Sequence, residues 1–190
     1  MKYVFTNGKI LNGTKDMQVQ EGQVILVENE RITEILPAEE AGKRNLTASG
    51  YEEIDLQGKY ILPGLINMHV HLAGNGKPQK KQRDNEALVK KIMSNGLTKA
   101  IAYNMVCGFA KDELYSGVTT IRTVGGLGDF DTRLRDDIAA GKKPGPRILA
   151  ANEGISVPGG HMAGSVAIAA DSVDCLLYTS PSPRDMRRSR

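Results

Sequence analysis

The sequence predicts an α/β protein: a small β-sandwich-like subdomain over residues 1–60, then the N-terminal part of a truncated (β/α)8 barrel over residues 61–174. Three observations predict it. Short β-rich runs punctuated by Gly8, Gly13 and Gly22 fill the first segment. Strand-like and helix-like stretches then alternate three times. Residues suited to chemistry follow each predicted strand, as they do at the C-terminal face of such a barrel. A doubly wound parallel sheet is the structural alternative.

In chain order, residues 3–11, 23–28 and 31–36 read as strands, the last alternating apolar and polar. Pro37 closes this sheet, residues 38–50 read as a polar surface connection, and Glu53–Leu56 resumes strand character before a turn at Gln57-Gly58. The apolar run Tyr60–Leu72 is the first barrel strand, followed by a polar, basic loop through Asp84. Helical spacing begins at Asn85, with Leu88, Ile92 and Met93 on one face and Lys90 and Lys91 outside. Gly96 ends that piece, and a second helix from Thr98 places Ile101, Met105, Val106, Phe109 and Leu114 towards the core, stopping at Gly117. Val118–Val124 is the second strand, the next helix runs from about Asp131 through Leu134 and Ile138 to Gly141, and Pro146–Ala151 is the third strand with its loop over 152–162.

Composition narrows the function. A chain of 190 residues with 40% hydrophobic and 25% charged residues buries a real core. The net charge of +3 owes much to Arg184, Arg187, Arg188 and Arg190 at the end of the chain, so no basic face argues for nucleic acid. No leader-like segment begins the chain, and no run approaches the roughly 18 apolar residues of a membrane span, so a cytoplasmic protein with no membrane partner is expected. Cys107 and Cys175 form no Cys-x-x-Cys pair, so neither a disulfide framework nor a cysteine-rich zinc site is implied; Cys107 reads as a buried apolar residue. The glycines at 125, 126 and 128 lack the Gly-x-Gly-x-x-Gly spacing of a dinucleotide loop.

The chemistry centres on His69 and His71. Side chains alternate on a strand, so the two imidazoles share a face while Met68, Val70 and Leu72 share the other. Two adjacent imidazoles supply half the tetrahedral shell of a divalent ion such as zinc, with nitrogen ligands at about 2.0–2.1 Å. Two polar residues at a strand end would look the same. Arg122, inside the second strand, needs a partner for its charge, either a structural one or a substrate carboxylate.

Asp55-Leu56-Gln57-Gly58-Lys59-Tyr60-Ile61-Leu62-Pro63-Gly64-Leu65-Ile66-Asn67-Met68-His69-Val70-His71 resembles the barrel entry of metal-dependent amidohydrolases, in the imidazolonepropionase-like and Xaa-Pro-dipeptidase-like branch. The resemblance continues through Ser116–Arg122, Leu134–Ile138, Gly145–Ala151 and Pro158-Gly159-Gly160-His161, covering most of residues 3–174. It implies a metal-dependent hydrolase acting on a carbon–nitrogen bond of an amide, cyclic amide or dipeptide through metal-activated water. It implies one or two Zn2+ ions held in part by His69 and His71, a small-molecule substrate bordered by His161, and room for a homo-oligomer. It also implies a carboxylated lysine, two further histidines and a catalytic aspartate from later strands, and a sheet completed by strands from the far end of a longer chain. Asn67 departs from the aspartate common at that position, which bears on local hydrogen bonding.

From Cys175 onward no helix or strand pattern continues, and Cys175–Arg190 resembles a translated sequencing adapter. The expected organisation is therefore a native N-terminal fragment to about Asp174, lacking a complete active site, with a non-native tail. The reading from another class is a non-catalytic metal-binding or interaction module.

Overall fold

The computed structural model describes residues 1–74, 76 and 84–179, with side chains through residue 176. The predicted basic loop over residues 77–83 and the arginines from Arg184 onward lie outside the described residues. The chain divides into two compact units, Met1–Pro63 and Gly64–Arg190.

In the first unit, the β-rich run of residues 3–11 is two strands, β1 (Lys2–Thr6) and β2 (Lys9–Leu11). Asn7 between them adopts φ 53°, a left-handed turn that asparagine tolerates. After β3 (Val19–Gln20) come β4 (Gln23–Glu28) and β5 (Arg31–Pro37). The expected surface connection contains a short helix, α1 (Ala38–Gly42), whose Ala41 is buried. Glu39 and Glu40 favour its first turn electrostatically, a signal that the polar composition of the segment masked. β6 (Glu52–Asp55) and β7 (Tyr60–Ile61) complete the unit. The predicted turn at Gln57-Gly58 is present, with φ 53° and 77° and Lys59 N–H donating to Leu56 O at 2.9 Å.

These strands make one sheet of order β5-β4-β1-β6 and a second of order β3-β2-β7. Val4, Val24, Leu26, Leu36 and Ala41 form a core against which Leu46 and Tyr51 pack. The β4–β5 ladder shifts register between Leu26 and Val27, and Ile32 and Ile35 of β5 remain exposed.

The second unit begins with β8 (Leu65–Val70), so the apolar run from Tyr60 is split around Pro63-Gly64. It continues through α2 (Asn85–Met93), α3 (Gly96–Tyr115), β9 (Val118–Thr123), α4 (Phe130–Ala139) and β10 (Arg147–Leu149). Asp84 caps α2 by accepting from Ala87 N–H, and Asn95 caps α3 by accepting from Thr98 N–H. That second cap, rather than the glycine, separates the two helices and admits Gly96 to the start of α3. Gly117, at φ 93°, ends α3 as the sequence predicts.

β8, β9 and β10 form a parallel sheet whose neighbours follow chain order, with α3 packed on β9 and α4 on β10. The core joins Val70 and Leu72 to Ala102, Tyr103, Val106, Ala110, Ile121, Phe130, Leu134 and Ile148. α3 buries Val106 and packs Phe109 against this core as expected, but the rest of its inward stripe differs. Ile101 and Met105 are more than half exposed, whereas Ala102, Tyr103, Val106 and Ala110 face inward. Apolar residues occupy much of the circumference of α3, so spacing alone does not select a face, and the two alanines allow close approach to neighbouring elements. Tyr103 adds a hydrogen bond to Asp137 Oδ2 at 2.6 Å, tying α3 to α4. Cys107 is half-buried rather than buried.

The loop expected over residues 152–162 contains β11 (Gly154–Ser156), which pairs in parallel with β12 (Ala167–Ala169). The chain then enters α5 (Val173–Thr179), which crosses the point where no helical pattern was expected. Ser172 Oγ accepts from Cys175 N–H at 3.2 Å, the start signal that the reading of this segment omitted. Among the described residues no helix is long and apolar enough to cross a membrane.

Candidate active site

His69 lies within β8 and His71 one residue beyond its end. Val70 and Leu72, at 7% and 2% exposure, anchor this strand end in the core, while both histidines remain exposed. The rings meet edge to face, with centroids 5.2 Å apart and an interplanar angle of 73°. Pairing between β8 and β9 is irregular between Asn67 and Val70, the kind of local bulge that re-aims side chains. Asn67 works inside that irregularity, its Oδ1 accepting from His69 N–H at 3.2 Å. Arg122 donates from Nε to Met68 O at 2.9 Å, so its partner is the backbone of the neighbouring strand.

His71 Nδ1 stands 3.1 Å from Gly125 O in the loop after β9. A carbonyl oxygen only accepts, so Nδ1 carries the hydrogen and the Nε2 lone pair of the neutral ring stays free. Gly125 and Gly126 are needed for space. A methyl group on Gly125 would stand 3.2 Å from His71 Nδ1, and one on Gly126 would stand 2.6 Å from Asp131 Oδ2.

Asp131 is the residue the sequence reading passed over as a helix start. It sits in the first turn of α4 at 1% exposure, and its Oδ2 has no hydrogen-bond partner among the described residues. Burial holds its carboxyl above the usual aspartate range, against the pull of the Thr123 hydroxyl, the Asn152 backbone N–H and His71. The signal that would have found it is spacing: Asp131 and Leu134 stand three apart, so the acid shares the inward stripe of the helix. Nearby, Asn152, at φ 59°, accepts from both the N–H and the hydroxyl of Thr132, fastening the loop after β10 to the same helix end.

A carboxyl that is less acidic when folded binds more protons in the folded state at intermediate pH. Asp131 therefore adds stability as pH falls from neutral, and the gain levels off below the ordinary aspartate pKa of about 3.9. Asp131→Asn is expected to remove this contribution, so urea-unfolding free energies of the two proteins should converge as pH is lowered from 7 to 5. An unchanged difference would contradict the sign.

His69 and His71 line a cavity of about 380 Å³ with Asn67, Asp112, Glu113 and Ser116. His71 also borders a second of about 460 Å³, with Leu88, Ile92, Leu127 and Met162 among its walls. A larger cavity, about 960 Å³ beside α4 and β10, contains neither histidine. His161 is exposed on the segment between β11 and β12, and it is its neighbour Met162 that lines the cavity bordered by His71. Among the described residues no group of three or more His, Cys, Asp or Glu side chains converges on one point. Two imidazoles, one with its lone pair set free by Gly125, and a buried carboxylate oxygen without a partner fit part of a cation's surroundings.

A parallel α/β sheet with paired histidines at the end of its first strand places the chain among α/β proteins that carry polar groups at strand C-termini. The amidohydrolase family profile matches residues 60–182, and the chain belongs to the amidohydrolase family. The chain is 34% identical over 85 residues to a dihydroorotase of Bacillus thuringiensis (strain Al Hakam), which covers 43% of this chain and 17% of that protein. Its structure resembles an assigned prolidase from Bifidobacterium longum at 30% identity and TM-score 0.65, covering 99% of this chain and 37% of the other. It also resembles a Xaa-Pro dipeptidase with methionine bound in its active site, at 29% identity and TM-score 0.63, covering 92% and 38%. The chain thus spans well under half the length of these relatives.

Proposed function

We propose that this chain carries the first part of a metal-dependent hydrolase acting on carbon–nitrogen bonds, with β8, β9 and β10 as the first three strands of a (β/α)8 barrel. The strand order β8-β9-β10 fits the first three strands of a barrel, and the amidohydrolase family match favours a barrel over the first half of a doubly wound sheet, which has the same order. The observation that carries the reading of the site is the contact of His71 Nδ1 with Gly125 O, which aims a free Nε2 lone pair away from the loop. His69, 5.2 Å away ring to ring, is the second ligand. Borderline-soft zinc suits an imidazole pair. When bound, such a metal supplies Lewis-acid polarisation of a carbonyl and activation of water. His69 and His71 would hold that ion, and Leu88, Ile92, Leu127 and Met162 give the neighbouring cavity an apolar wall.

The substrate class we infer is a small amide: a dipeptide with a prolyl nitrogen, following the prolidase and Xaa-Pro dipeptidase likeness, or a cyclic amide, following the dihydroorotase likeness. His161 is assigned to the substrate side because it flanks Met162 on the glycine-containing loop. The test is hydrolysis of Xaa-Pro dipeptides and of cyclic amides, before and after chelation, by the uninterrupted protein of which this chain would be the first part, since the chain by itself is expected to lack a complete active site. Turnover lost with chelator and restored by added Zn2+ supports the reading; turnover indifferent to chelator, or zinc binding without turnover of any substrate, overturns it.

A further inference from the structure

The loop after β9 joins two groups that the sequence places 60 residues apart. At Gly125, φ is 151° and the carbonyl takes the Nδ1 hydrogen of His71. At the next residue, all three carboxylate atoms of Asp131 would lie within 2.9 Å of an added methyl group, so the carboxylate rests directly on the Gly126 backbone. Asp131 is closed to solvent, and one of its oxygens has no partner among the described residues. A buried carboxylate oxygen without a donor costs stability unless the charge serves a neighbour. The Gly126 backbone on which Asp131 packs is joined directly to the Gly125 carbonyl that faces His71 Nδ1.

We propose that Asp131 is a positioning residue for His71: its buried carboxylate, packed on Gly126, fixes the Gly125 carbonyl and with it the Nδ1-protonated form of the His71 ring. The same negative charge balances a cation held at Nε2. The inference rests on the reading of His71 as a metal ligand, and it extends that reading from the ligand to the groups that orient it. Outer-shell partners of this kind set ring orientation and tautomer, and their loss costs about 10–100-fold in metal affinity.

The test uses the 190-residue chain labelled with ¹⁵N-histidine, whose three imidazoles are few enough to assign one by one. Long-range ¹H–¹⁵N correlations at about pH 8, without metal, report which nitrogen of each neutral ring carries the hydrogen. The expected result is an Nδ1-protonated His71 in the parent chain, a shift towards the mixed tautomers of free imidazole in Asp131→Asn and Gly126→Ala, and no change at His161. Zn2+ affinity should fall about 10–100-fold in both variants. Asp131→Asn keeps the shape of the side chain, so it carries the test if the added methyl at Gly126 disturbs the loop. A His71 tautomer that is the same in parent and Asp131→Asn overturns the proposal, even if zinc binds. Zinc that leaves both His69 and His71 resonances unmoved removes the metal reading instead, while the tautomer comparison still decides the role of Asp131.

Discussion

Alanine at His71 is expected to lower the affinity of the chain for Zn2+ by at least about 100-fold, the upper end of what loss of even an outer-shell partner costs. Alanine at His69 should cost less. The difference follows from preorganisation. His71 has one nitrogen tied to Gly125 O at 3.1 Å and its flanking Val70 and Leu72 sealed in the core, so its second nitrogen is held ready. His69 is fixed through its backbone, by Asn67, and its ring must be ordered when a ligand arrives. Calorimetric titration of the parent and the two variants with Zn2+ measures this directly. Equal, weak binding in all three would remove the histidine pair as a metal site.

The pair was legible in the sequence because strand periodicity and an apolar run together place two imidazoles at one strand end. What periodicity missed was the end itself: Val70 is the last residue of β8, and the irregular pairing after Asn67 means that His71 is held by the loop after β9 and not by the sheet. In the sequence, Gly125 and Gly126 invite comparison only with a nucleotide loop. Their actual neighbours, His71 and Asp131, come from separate elements, and no local pattern announces a contact of that kind. Asp131 was hidden differently. An acid in the first turn of a helix is ordinarily explained by the helix dipole, so its place on the buried stripe went unread. In the first unit, α1 was lost because a five-residue helix is too short to display a period. The parallel run of β8, β9 and β10 was recoverable because helices separate β8 from β9 and β9 from β10, and a crossover helix makes successive strands parallel, although the same alternation also fits a doubly wound sheet.

The largest stability effect is expected at Leu134. Its side chain is fully buried in the cluster formed with Val106, Ile121, Phe130 and Ile148, so truncation removes contacts on every side. Leu134→Ala should cost about 3–5 kcal/mol, the transfer free energy of the lost atoms plus the cavity left behind. Leu97, in the first turn of α3, is 73% exposed, and Leu97→Ala should stay within about 0.5 kcal/mol. Urea unfolding followed by far-ultraviolet circular dichroism separates the two. Against a typical total of about 5–15 kcal/mol, the first loss is a large fraction of what holds a domain together. It also reaches the site, because Leu134 lies one turn from Asp131 and keeps that end of α4 seated under Gly126. Leu134→Ala should therefore weaken zinc binding even at temperatures where the fold remains intact, whereas Leu97→Ala should leave it unchanged. If the two variants bound zinc alike while differing in stability, α4 would support the fold without setting the geometry of His71.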